Sequence, residues 1–319
     1  MRSFRDALAD HLAWWGLRHF ESDAAYFAWQ RDTISPADLT HLNQLVEHKR
    51  DSNAGARAEI AFYDFSASPQ ILPILYSQRY DYYLAVGPLA AERIRGARSV
   101  LDFGCGPGIL TSFYARQFPD ASFIGIDRSA ASIRSAQERA EALGLKNIRF
   151  EWIDAEQTSL SGTYDLIICT HALLQSESDP GLPSADWRTF ERLKDDCAQA
   201  AFEQRTGLGV RLDQLCGVLA PDGRMMLFEK TRQLARRAPF QRALAARGLT
   251  LLETPLPIRY LVVEEITDDG PFYVLARGSS GLAPQEDRLP WDEEPECEEG
   301  SDLYRCEGEG AKAVWERLP

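Results

Sequence analysis

Between Ser99 and Thr111 the chain reads SVLDFGCGPGILT, with Gly104, Gly106 and Gly108 packed closely behind Asp102. Glycine at that density lets the backbone take positive φ and lie directly against a ligand. A helix starting near Ile109 aims its free N–H groups at any anion placed there. Two phosphate-binding patterns nevertheless fail. A nucleoside-triphosphate loop has the form GxxxxGK(S/T), and no lysine follows these glycines. A dinucleotide fingerprint has the form GxGxxG, and Ile109 stands where its third glycine belongs. The spacing is D-x-G-x-G-x-G, from Asp102 to Gly108. An acid inside the loop repels a pyrophosphate and suits a ligand that carries an ammonium group. Two later residues can do acid–base work. His171 follows IICT, and an imidazole titrates near neutrality. It reads as a base for an acceptor or as a residue packed beside the site. Glu229, in LFEK, reads as an acceptor contact or as a partner of Lys230 or Arg232.

The elements that must position these groups follow from periodicity. Residues 1–96 read as helical, with Phe4, Leu8, Leu12 and Trp15 on one face. Ser35 reads as an N-cap and Pro36 as the first residue of the next helix. The run ILPILYSQRYDYYLAVGPLAAERI is helical, with expected interruptions at Pro73 and Gly87-Pro88. Trp14, Trp15, Tyr26, Phe27 and Trp29 are expected in the core. From Ser99 short apolar runs alternate with helical segments. SVLDFG, SFIGID, IRFEWID, YDLIICTH and RMMLFEK read as strands, and LTLLETPLPIRYLVV and PFYVLARG as two more. The segment around Pro239 reads as a helix broken by that proline. Alternating strands and helices imply an α/β fold with a parallel sheet covered on both faces. Two successive strands at the end imply an antiparallel edge.

With these motifs in order, the segment from about Tyr80 to Gly278 resembles the class I S-adenosylmethionine-dependent methyltransferases. VLDFGCGPG is similar to that family's first motif, FIGIDRS to the second, FEWIDAE to the third, YDLIICTHALLQ to the fourth, and LAPDGRMMLFEK to the turn and strand that follow. The resemblance implies a Rossmann-like mixed seven-stranded sheet with helices on both faces, plus a helical N-terminal cap and an acidic C-terminal tail. It implies S-adenosyl-L-methionine as cofactor. Asp102, Gly104, Gly106 and Gly108 would lie against its methionine part, Asp127 would accept both ribose hydroxyls, and Cys105 and Arg128 would be further cofactor-binding residues. Asp154 would take the adenine amino group and Ala155 would offer a backbone N–H. Arg79 would meet the methionine carboxylate and Tyr80 or Tyr83 the methyl-transfer region, unless this upstream segment is only a packing helix. His171 and Glu229 are the candidate catalytic groups. The expected organisation is a cap or substrate region over 1–96, the cofactor-binding domain over 97–278 and the tail over 279–319. Residues 176–211 are expected to shape the acceptor pocket with the cap.

Other features narrow the acceptor. Family members that methylate nucleic-acid bases carry N/D-P-P-Y/F after the fourth strand, where this chain has CTHA. Cys169 lacks the preceding proline of a cytosine-carbon nucleophile, and no paired-glutamate loop is found near Glu177. Net charge is −13, and residues 286–309 hold eleven Asp/Glu against two Arg. Such a surface repels phosphate backbones, so nucleic acid is not an expected partner. A small-molecule methyl acceptor, through O or N, is the leading expectation. A protein acceptor and a non-catalytic cofactor-binding regulator are the alternatives. No metal site is expected. The six cysteines, at 105, 169, 197, 216, 297 and 306, form no CxxC and read as reduced thiols, with Cys297 and Cys306 the only pair open to bridging. The N-terminus lacks a signal-peptide core, and no run approaches the roughly 18 apolar residues of a membrane span. A cytoplasmic protein with no membrane partner is expected. Nothing in the sequence fixes an oligomeric state.

Overall fold

The computed structural model describes residues 3–50, 55–174, 196–232 and 234–278. The acidic tail with Cys297 and Cys306, and residues 176–195 of the expected acceptor-shaping stretch, lie outside them. Helices α1 (Phe4–Trp14), α2 (Asp23–Thr33), α3 (Pro36–Arg50), α4 (Gly55–Ser66), α5 (Leu72–Ser77) and α6 (Tyr80–Ile94) come first. Then β1 (Ser99–Phe103), β2 (Ser122–Asp127) and β3 (Ile148–Trp152) alternate with α7 (Ile109–Gln117) and α8 (Ala130–Ala142). β4 (Tyr164–Thr170), α9 (Asp196–Thr206), α10 (Leu208–Val218), β5 (Leu219–Phe228) and α11 (Leu234–Ala246) follow. β6 (Leu249–Leu251), β7 (Leu256–Val262) and β8 (Glu265–Arg277) end the described chain.

The sheet runs β3-β2-β1-β4-β5-β8-β6, with β7 paired to β8. β1 to β5 are parallel, and β8 is antiparallel to β5, β6 and β7. The strand order reverses between β1 and β4, which opens the crevice where open α/β sheets bind ligands. Successive side chains of each strand point to opposite faces of the sheet, as the pleat requires. Val100, Phe123, Leu166, Met226 and Phe272 join one core with α1, α6 and α7. Leu101, Ile124, Ile167, Met225 and Tyr273 join the other with α10 and α11. Both faces are buried, so these strands read as apolar runs.

Several expectations are corrected. The sheet has eight strands: the segment expected as one strand after Gly248 divides into β6 and β7, and β8 starts at Glu265. The extra pairing makes a β7–β8 hairpin, turned by Val263 at φ 58°. α6 is not interrupted at Gly87-Pro88. Proline leaves the carbonyl four residues earlier without its N–H partner, and the Arg5 guanidinium donates to that carbonyl, Leu84 O, at 3.5 Å. α11 likewise runs through Pro239, where Phe240, Ala243 and Leu244 are wholly buried against the sheet. Trp15 and Tyr26 are core residues, whereas Trp14 and Phe27 are 39% and 41% exposed. The Ser35 cap is present: its Oγ accepts the Asp38 N–H at 3.1 Å.

Candidate active site

The carboxyl ends of β1 to β5 open onto one cavity of about 500 Å3, whose wall is completed by α3 to α6 and the β7–β8 hairpin. Asp102, in β1, is buried at its floor. Thr111 Oγ1 donates to Asp102 Oδ2 at 2.6 Å. Burial pushes this carboxyl up to about 7, against the pull of that hydrogen bond. The glycine loop is pinned to the next strand, since the N–H groups of Gly104 and Cys105 both donate to Ile126 O, at 2.8 and 3.0 Å. Asp127 closes β2 and binds both neighbouring turns. Its Oδ2 accepts Gly106 N–H at 2.9 Å and its Oδ1 accepts Ser129 N–H at 2.8 Å. Burial raises the Asp127 carboxyl while these two bonds oppose the rise.

Gly106 shows what the loop leaves room for. Its φ is +54°, and an added Cβ would have the Tyr76 hydroxyl, 3.8 Å away, as its nearest neighbour. The side chain is missing on the cavity side, where a ligand can lie against the backbone. Gly108 differs: a Cβ there would fall 2.7 Å from the Phe150 ring, so helix packing requires that glycine. Past β3, Asp154 Oδ1 accepts Glu156 N–H at 3.0 Å and Oδ2 accepts Gln157 Nε2–H at 2.8 Å. Asp154 therefore caps a turn while also lining the cavity, beside buried Ala155.

At the end of β4, His171 takes φ 55°, an uncommon conformation for a residue with a side chain. Its ring packs against both Tyr82 and Phe228, with centroids 5.1 Å from each. Nδ1 meets the Arg79 guanidinium. Nε2 lies 3.1 Å from Asp269 Oδ2, though off the line of an ideal hydrogen bond. Burial lowers the imidazole to about 4, opposed by Asp269 and reinforced by Arg79. The Tyr260 hydroxyl donates to the same Asp269 oxygen.

Other candidates are placed differently from expectation. Glu229 lines the cavity, but its carboxylate accepts the N–H groups of Ala172, Leu173 and Leu174 at 2.7, 2.8 and 3.4 Å. It holds the chain after β4, and pairs with neither Lys230 nor Arg232. Burial raises it to about 7 against those three bonds. Arg128 lines the cavity with its charge taken by Glu59 of α4. Tyr80 is turned away from the cavity and packs on His19, at 5.6 Å between ring centroids. Tyr82 and Tyr83 face the cavity from α6, with Arg79 as the N-cap just before it, while Tyr80 lies on another face of the helix. Sequence reasoning missed Tyr63, Glu59, Tyr260 and Asp269, which reach the cavity from α4 and the hairpin. Nothing local in their sequence marks them.

Residues 94–246 match the family model described as a methyltransferase domain. The segment 94–246 is a methyltransferase domain of the class I S-adenosylmethionine-dependent type. Among such proteins the chain is similar to the trans-aconitate 2-methyltransferase of Deinococcus radiodurans, 39% identical over 88 residues, which is 28% of this chain and 32% of that protein. It is also similar to the mitochondrial ubiquinone biosynthesis O-methyltransferase of Schizosaccharomyces pombe, 26% identical over 151 residues, 46% of this chain and 49% of that one. The match thus spans about a third to a half of each relative's length. The solved structure of the mitomycin 7-O-methyltransferase aligns over 76% of this chain and 69% of its own at 16% identity, with a TM-score of 0.45. Among the described residues, no helix is long and apolar enough to cross a membrane. None of the described His, Cys, Asp or Glu clusters could hold a metal ion.

Proposed function

We propose that the protein transfers a methyl group from S-adenosyl-L-methionine to an oxygen or nitrogen of a small-molecule acceptor. One observation carries this reading: three acids, Asp102, Asp127 and Asp154, stand at or just past the ends of three adjacent strands around a glycine loop and border one cavity. Three such hydrogen-bond acceptors suit a nucleoside bearing an ammonium group, and the space at Gly106 suits a ligand lying against backbone. When bound, the cofactor supplies a methyl carbon on a sulfonium, already activated for in-line displacement. Asp102 holds the ammonium end, the loop from Gly104 through Cys105 to Gly106 supports it, and Asp127 accepts from the ribose hydroxyls. Asp154 and the Ala155 N–H orient the adenine edge. Arg79 takes the carboxylate. His171 is the group placed to receive a proton from an acceptor hydroxyl or amine.

The cavity size suits a cofactor and a small acceptor rather than a folded macromolecule. The named relatives act on trans-aconitate and in ubiquinone biosynthesis, which supports the small-molecule class. We assign 1–96 to the cap or substrate region and 97–278 to the cofactor-binding domain. Cys105, Cys169 and Cys216 are free thiols, as suits a cytoplasmic enzyme. The test is calorimetry with the cofactor and S-adenosylhomocysteine, followed by methyl-label transfer to panels of small acids, phenols and amines. Micromolar binding and label on a small molecule are expected. Lack of binding below millimolar, with Asp127→Asn changing nothing, would refute the reading. Label appearing only on proteins would move it to the alternative acceptor class.

A further inference from the structure

His171 is the one imidazole among the described residues on the cavity wall. A guanidinium donates and never accepts. The Arg79 contact therefore makes Nδ1 the unprotonated nitrogen and leaves the ring proton on Nε2, toward Asp269. Asp269 stays ionised: burial works to raise it, and His171 and Tyr260 outweigh burial and hold it well below the usual range. The imidazole thus sits between a fixed anion and a cation, and the lone pair that would accept a proton is covered. Arg79 has no carboxylate partner among the described residues. Its guanidinium lies over the Tyr82 ring, 4.3 Å from the centroid, and its other charge neighbours are Tyr63, Tyr83 and Tyr260. An enclosed guanidinium without an anion binds an incoming carboxylate strongly, often through two parallel hydrogen bonds.

We propose that Arg79 is a latch on His171: a carboxylate entering the cavity draws the guanidinium off Nδ1 and leaves the imidazole, oriented by Asp269, free to take the acceptor's proton. The inference rests on the cofactor reading, because it assigns that carboxylate to the cofactor's amino-acid end. The acceptor O–H or N–H bond breaks and its proton goes to Nδ1. The acceptor's electron pair forms the bond to the methyl carbon, and the carbon–sulfur pair returns to sulfur. Arg79 and Asp269 are positioning residues. The groups facing the ring are Arg79 and Tyr82 at the start of α6, Asp269 and Tyr260 of the hairpin, and Lys230 and Phe228 at the end of β5. Arg79 is the cation in contact with the ring, so pairing it with an anion both uncovers Nδ1 and relieves the charge that keeps the imidazole acidic. The base then becomes available only once the methyl donor is in place.

The test follows the ring nitrogens of His171 by long-range 1H–15N NMR in histidine-labelled protein. The five histidines are separated by the signal lost in His171→Gln. Without ligand, the Nε2–H tautomer and a titration midpoint near the value of about 4 are expected. Saturating S-adenosylhomocysteine should raise the midpoint by about one unit or more. 5′-Methylthioadenosine, which lacks the carboxylate, should leave it unchanged. Arg79→Gln should raise it without ligand and abolish the response. Calorimetry on the same samples separates two failures. If S-adenosylhomocysteine binds and the midpoint stays, or if 5′-methylthioadenosine raises it equally, the latch is wrong and the cofactor reading stands. If S-adenosylhomocysteine does not bind, the cofactor reading falls and the latch falls with it.

Discussion

Asp102 shows how one side chain links binding to pH. Its carboxyl titrates at about 7 in the folded chain against 3.8 for a free carboxyl, so between those values the native state holds a proton that the unfolded chain does not. The contribution of this group to stability therefore falls as pH rises from about 4 through about 7. Without ligand, the melting temperature of Asp102→Asn should rise relative to the parent as pH increases from 5 to 7, and should stay higher at pH 8. On the proposed cofactor reading, binding runs the other way, because an ammonium needs the carboxylate form. The affinity for S-adenosylhomocysteine should drop by up to about tenfold for each unit below pH 7, and this slope should vanish in the Asn variant. Calorimetry across pH 5 to 8 measures both effects. Glu229 carries a different load, since three N–H groups depend on its carboxylate. Glu229→Gln should cost about 1–3 kcal/mol in denaturant unfolding. A fully stable variant would show that those N–H groups find other partners.

At the scale of elements, α4 is the piece that closes the cavity beside Asp127 and Arg128. It is tied to the start of α8 at two points. Glu59 pairs with Arg128, and Asp64 Oδ1 accepts from Ser129 Oγ at 2.6 Å and from Ala131 N–H at 3.2 Å. Asp64 thus acts as a cap supplied from another helix, satisfying a first-turn N–H that α8 cannot satisfy itself. Asp64→Ala should cost about 1 kcal/mol, typical of a lost cap, and should speed amide exchange in α4 while leaving β1 and β4 protected. Equal acceleration in the strands would mean the tie supports the whole sheet rather than this wall. The sequence signals in these elements were uneven. Ser35-Pro36 announced its helix because caps are local chemistry. Pro88 and Pro239 misled, because the compensation comes from elsewhere: Arg5 reaches Leu84 O from another helix, and buried Phe240 holds α11 to the sheet.

For the whole molecule, a ligand that binds only the folded state stabilises it by mass action. At about 100 times its Kd, S-adenosylhomocysteine should add about 2.7 kcal/mol and raise the melting temperature by several degrees, increasing further with concentration. A melting temperature that ignores ligand concentration would argue against the cavity as its site. The sequence alone determined the strand–loop–helix order, the glycine loop and the acids Asp102, Asp127 and Asp154, because each is set by neighbours within a few residues. The parallel sheet followed from the same alternation. Only the tertiary structure decided which groups face the cavity from a distance. It brought Asp269 and Tyr260 to His171 through the β7–β8 hairpin, placed Arg79 on Nδ1, and turned Tyr80 outward. Those contacts join residues up to about a hundred positions apart or on opposite faces of one helix. Their geometry depends on packing across the sheet and not on any local run of residues.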